Sequence, residues 1–163
     1  MDGATKLNFT SCISTTYDNY EIDVINLLPA TSSSSVGLQM STDGGSTYDA
    51  GSNYSWISST GIPTSSLSAD GSNSDTQLTL FEVYTANANY TLAGQYRLYG
   101  PASGAYTLVT GIGFGLTGAD GRAAEILSNV GAYQSTTAVN AFRVIASTGN
   151  LTSGTVRCYG IAK

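Results

Sequence analysis

Between residues 111 and 116 the chain reads Gly111-Ile112-Gly113-Phe114-Gly115-Leu116. Successive side chains of a strand point to opposite faces. This period of two therefore predicts a strand with Ile112, Phe114 and Leu116 on one face and bare Gly111, Gly113 and Gly115 on the other. Each glycine costs a strand roughly 0.5–1 kcal/mol relative to alanine, so three in register mark a place where a backbone or an aromatic ring comes close. Two placements meet that condition: a strand crossing under a crowded core, or a subunit contact made through Gly111, Gly113 and Gly115. A dinucleotide site does not, because its Gly-x-Gly-x-x-Gly turn opens a helix, and here no helical period follows.

The rest of the chain repeats the strand signal. Short runs suited to strands lie at 6–14, 19–28, 36–42, 53–58, 76–85, 93–100, 105–117, 129–135, 138–147 and 154–162. They are separated by turn sequences such as Asp43-Gly44-Gly45-Ser46, Asp70-Gly71-Ser72-Asn73, Pro101-Ala102-Ser103-Gly104 and Ala119-Asp120-Gly121. Evenly spaced short strands predict an all-β chain, an antiparallel β-sandwich of jelly-roll type spanning 1–163 as a single domain. Its expected interior includes Ile22, Val24, Leu80, Ile112, Phe114, Phe142 and Val144. Tyr20 to Val24 alternate with Glu21 and Asp23, but at Ile25, Leu27 and Leu28 both faces turn apolar, as expected of a strand entering the space between two sheets. The Ser-rich stretch Gly61 to Ser74, with Pro63, is the longest expected loop, and Arg122 to Leu127 fits either one helical turn or another strand.

Composition narrows the function classes. The chain has 163 residues, of which only 10% are charged, and a net charge of −5. Its six basic residues are scattered and form no stripe to neutralise phosphates, which disfavours nucleic acid as a partner. No apolar run approaches the ~18 residues of a spanning helix, and no charged segment precedes a short apolar one, so neither a membrane partner nor export by its own signal is expected. Eleven tyrosines and few lysines suit a surface that meets another protein or a sugar. Cys12 and Cys158 read either as two small buried side chains or as a disulfide, the latter requiring that the first and last strands be neighbours.

Catalytic means are sparse. The chain contains no histidine, which removes Ser-His-Asp and Cys-His sites, the usual zinc ligand sets and the commonest general base. Asp18, Glu21 and Asp23 cluster, but Glu21 and Asp23 share a strand face as ordinary surface acids do. Asp43-Gly44-Gly45 and Asp120-Gly121 lack the alternating acids of a calcium loop and read as Asx turns. No catalytic residue, cofactor or metal site is expected, and the chain is read as a non-enzyme. For a sugar, the candidate contacts are Tyr48, Asn53, Tyr54 and Trp56, where aromatic faces are flanked by amide and hydroxyl groups.

Four stretches carry a resemblance: Phe9 to Ile22 (FTSCISTTYDNYEI), Asn26 to Thr31, Gln39 to Tyr48 (QMSTDGGSTY) and Gly154 to Ile161 (GTVRCYGI). In this pattern of turns and aromatics the chain resembles small virion proteins of tailed bacteriophages. The resemblance implies a β-sandwich on the virion exterior, either decorating the head or ending a tail fibre, often as a homotrimer, and it brings no functional residue with it. Two roles follow. One is a capsid decoration or cement protein whose partners are its own copies and the major capsid protein, favoured by a short chain without a fibre-forming shaft. The other is a tail-fibre tip that binds host surface glycan.

Overall fold

The computed structural model describes residues 6–61, 67–81, 89–117 and 123–163. Among them run eleven strands and no helix: β1 (Lys6–Phe9), β2 (Asn19–Pro29), β3 (Val36–Ser41), β4 (Tyr54–Gly61), β5 (Ser68–Asp75), β6 (Leu78–Phe81), β7 (Leu92–Tyr99), β8 (Thr107–Thr117), β9 (Ala123–Tyr133), β10 (Ala141–Ala146) and β11 (Leu151–Ile161). They form two antiparallel sheets, one ordered β1-β10-β3-β6 and the other β11-β2-β7-β8-β9-β4-β5. The pairs β4·β5, β3·β6, β2·β7 and β1·β10 nest inside one another along the chain. That nesting is one long hairpin rolled across two sheets, the arrangement of a jelly roll. Two elements are additional. The hairpin β8–β9 sits between β7 and β4, in the middle of the larger sheet, and β11 extends it beyond β2.

Several local expectations change. The first strand stops at Phe9; the chain then turns, and Tyr20 anchors that turn by accepting from the Ser14 N–H (2.7 Å) and donating to the Ser14 carbonyl (2.8 Å). The expected loop before Ser74 contains β5, whose sequence SADGSNSD has no apolar alternation because it is an exposed edge stabilised by backbone pairing with β4. Asp70-Gly71-Ser72-Asn73 is thus strand rather than turn. Arg122 to Leu127 belongs to strand from Ala123 onward, continuous with the strand expected at 129–135. In β2 the two apolar faces at Ile25–Leu28 come from a bulge, not from burial on both sides. Asn26 adopts φ 50°, the register slips between Val24 and Leu27, and Ile25 is left exposed while Leu27 is buried. Gly154 at φ 114° faces this bulge from β11, where a Cβ would lie 2.6 Å from the Leu27 Cα. Pro63, Arg122, the turn at Ala119-Asp120-Gly121 and the 82–85 end of the strand expected over 76–85 lie outside the described residues.

The core lies between the sheets and contains Ile22, Val24, Leu80, Phe142 and Val144, as expected. Ile112 and Phe114 are not in it; they are 55% and 52% exposed. The cause is Tyr96 on β7. Its ring lies flat over the inner face of β8, where a Cβ on Gly111 would strike the ring and one on Gly113 would strike the phenol oxygen and come within 2.6 Å of the Phe81 ring. Phe81 meets Tyr96 edge-on at 5.5 Å, and the Tyr96 hydroxyl donates to the Leu80 carbonyl at 3.0 Å, joining one sheet to the other. Tyrosines are therefore partly a core feature: Tyr20, Tyr54 and Tyr96 are fully buried and Tyr133 nearly so. Gly113→Val should destabilise the fold by about 1–3 kcal/mol, the usual cost of overfilling a packed interior, whereas Ile112→Thr on the opposite face, in protein dilute enough to be monomeric, should stay within about 0.5 kcal/mol. Urea unfolding of the two variants checks the contrast; equal costs would contradict the inward glycine face.

Candidate interaction surface

The inward turn of the glycines sends the other face of β8 outward. Leu108, Ile112, Phe114 and Leu116 on β8, Ile126 and Val130 on β9 and Ile57 on β4 are each between 41 and 57% exposed. Register makes them one surface. Phe114 lies opposite Ile126, Thr110 opposite Val130, and Val130 opposite Ile57, with Ala132, Ala124, Ser128 and Ser59 filling the positions between. Across β11, β2 and β7 the same face carries the charged and amide side chains, beside exposed Ile25 and Tyr159. There Gln95 donates to Glu21 (3.0 Å) and Asp23 (3.2 Å), and Arg97 donates to Glu21 at 3.4 Å. A groove lined by Glu21, Gln95, Arg97, Tyr99, Thr110 and Ile112 marks the border between the two zones. The Glu21–Asp23 pair is thus engaged by an amide and a guanidinium at the surface, a geometry of ordinary ion pairing that contributes little to stability.

Gly111, Gly113 and Gly115, the sequence-derived subunit contacts, face the interior and cannot meet a second chain. They fit the first of the two placements, a strand crossing under a crowded core, and the exposed face of their strand is the opposite one; alternation alone does not say which side of a sheet is inside.

The four candidate sugar contacts do not converge. Tyr54 is fully buried, stacks on Tyr133 at 5.0 Å, accepts from the Met40 N–H (2.8 Å) and donates to the Asp49 carbonyl (2.9 Å). Tyr48 is covered by the Arg143 guanidinium 4.5 Å above its ring. Its hydroxyl is buried without a hydrogen-bond partner among the described residues, and burial raises its pKa. Trp56 packs its ring against the core and donates its indole N–H to Asp75 at 2.8 Å, pinning β5 to β4. Asn53 is exposed but donates its amide to Asp49 at 2.8 Å. Asp49 is the centre of this cluster, since its carboxylate also accepts from Tyr133 (2.8 Å) and the Gly51 N–H (2.7 Å). Burial would raise its pKa, and these hydrogen bonds together bring it below the ordinary value. Tyr54 and Asn53 are thus tied to Asp49, while Tyr48 and Trp56 are held by Arg143 and Asp75.

The Asp43-Gly44-Gly45 turn is closed by its own aspartate. The carboxylate accepts from the Thr47 hydroxyl (2.6 Å), the Thr47 N–H (2.9 and 3.0 Å) and the Ser41 hydroxyl (2.8 Å). These bonds, those from Thr47 first, hold its pKa at about 2. A depressed carboxylate pKa means that the turn's contribution is fully present above the unfolded value of ~3.9 and is lost as pH falls toward 2. Carboxyl-carbon NMR should give Asp43 a midpoint of about 2, rising in Thr47→Val; a midpoint near ~4 in the native protein would contradict this geometry.

Cys12 lies in the turn after β1 and Cys158 on β11, and their strands belong to different sheets. The two free thiols nevertheless meet and pack against the same core. The interaction between the two thiols lowers the Cys12 pKa against the opposing effect of burial and, with burial, raises that of Cys158. The first and last strands are not neighbours, and the two cysteines stand as free, partly buried side chains rather than as a disulfide.

No protein-family model, curated protein or solved structure matches the chain.

Proposed function

We propose that the chain is a non-enzymatic structural protein of a bacteriophage virion, a decoration or cement protein that sits on the head exterior as a homotrimer and bridges subunits of the major capsid protein. The observation that carries this reading is the apolar outer face on the added hairpin β8–β9 of a charge-poor sandwich. A broad face of this kind suits extended protein contact better than capture of a small ligand. The resemblance of the four sequence stretches to small virion proteins points the same way. A cement protein needs no reactive group: modest contacts multiplied by copy number convert weak single-site affinity into durable attachment. The tail-tip role loses its sugar platform, since Tyr48, Asn53, Tyr54 and Trp56 serve the fold.

Particles lacking the protein should assemble and adsorb to cells normally but release DNA at lower temperature or on osmotic shock. Heat-release curves and adsorption counts on the same particles measure both. Particles that keep their heat resistance and fail to adsorb would reverse the assignment in favour of the tail tip.

A further inference from the structure

We infer that the outer face of β8, β9 and β4, centred on Ile112, Phe114, Ile126 and Val130, is where a second copy of this chain docks. The inference rests on the self-association in the reading above and not on its capsid assignment.

Size is the first argument. Seven side chains, each about half exposed, present on the order of 600–700 Å² of largely apolar surface, beyond the ~300–600 Å² of the largest patch on a typical monomer and close to the ~800 Å² per partner of a stable interface. Shape is the second. Large residues alternate with Ala124, Ala132, Ser128 and Ser59 along paired strands, giving the ridged face by which one sheet packs on another at about 10 Å.

Charge selects the occupant. The chain carries a net charge of −5, which would drive copies apart. Yet the charged side chains at described outward positions of this sheet are Glu21, Asp23, Arg97 and Arg157, two of each sign, all confined to β2, β7 and β11. A copy therefore meets a neutral face with an uncharged centre and a rim able to pair with itself, the anatomy of a homo-oligomer interface. A lipid surface would favour a basic rim, and this one is balanced. Placement adds a fourth point, because the face lies on a hairpin that the nested jelly-roll strands do not need for closure.

The test uses the full chain and its double variant Phe114→Asp, Ile126→Asp. Both positions are exposed in the single chain, so the circular dichroism spectrum should be retained, with the melting temperature lowered only by the association lost. Light scattering behind size exclusion at about 1–100 μM should show the wild type as an oligomer and the variant at the monomer mass of 16.8 kDa, its association weakened at least ~100-fold. A wild-type monomer over that range, or a variant that stays oligomeric, overturns the inference. Should the double variant fold poorly, Val130→Cys labelled with a maleimide replaces it: labelling about tenfold slower at oligomeric than at dissociating concentration supports the interface, and equal rates overturn it. An oligomer lost in the variant, alongside heat-resistant particles that lack the protein, leaves the interface standing and removes the capsid role. A monomer on capsids whose removal sensitises them to heat does the reverse.

Discussion

The Tyr96 side chain bridges the two sheets, and much else is arranged around it. Its ring lies across Gly111 and Gly113, its edge meets Phe81, and its hydroxyl donates to the Leu80 carbonyl of the opposite sheet. A phenol placed this deep needs a hydrogen-bond partner, since an unpaired buried hydroxyl costs about 1–3 kcal/mol. It also needs room between closely paired strands. Bare backbone on β8 supplies the room, and the backbone of β6 supplies the acceptor.

The orientation of β8 follows from that slot. With glycines inside, the larger residues of an alternating strand have only the outer face to occupy, so Ile112, Phe114 and Leu116 emerge on the surface. An outer face of this kind exposes apolar area that an isolated sandwich would normally cover with polar side chains. The neighbouring strands extend the patch rather than diluting it, since Ile126, Val130 and Ile57 are outward in the same register. Packing inside and apolar exposure outside are thus set by one sequence alternation.

Much of the fold was legible in the sequence, for identifiable reasons. Strands with alternating apolar residues, such as β2 and β10, stand out because burial on one face leaves a period of two. β5 was invisible because its contribution is backbone pairing at an edge, which leaves no mark in SADGSNSD. The bulge at Asn26 was read as burial on both faces because an inserted residue and a doubly buried strand give the same run of apolar letters. The candidate site was legible only in part: the strand was found from its glycines, but its inside and outside were exchanged, since large side chains are the usual occupants of a core. Likewise Tyr54 belongs to a cluster whose centre, Asp49, becomes recognisable only when β4 and β9 are brought together.

The outward orientation of the β8 side chains is the claim on which both the fold account and the interface depend. Hydroxyl-radical footprinting of the protein, diluted until it no longer associates, tests it most directly by comparing two phenylalanines. Phe114 should oxidise readily, at a rate approaching that of exposed Tyr159, while Phe142 in the core stays protected. If Phe114 is as protected as Phe142 at every dilution, the strand faces the other way and the account fails.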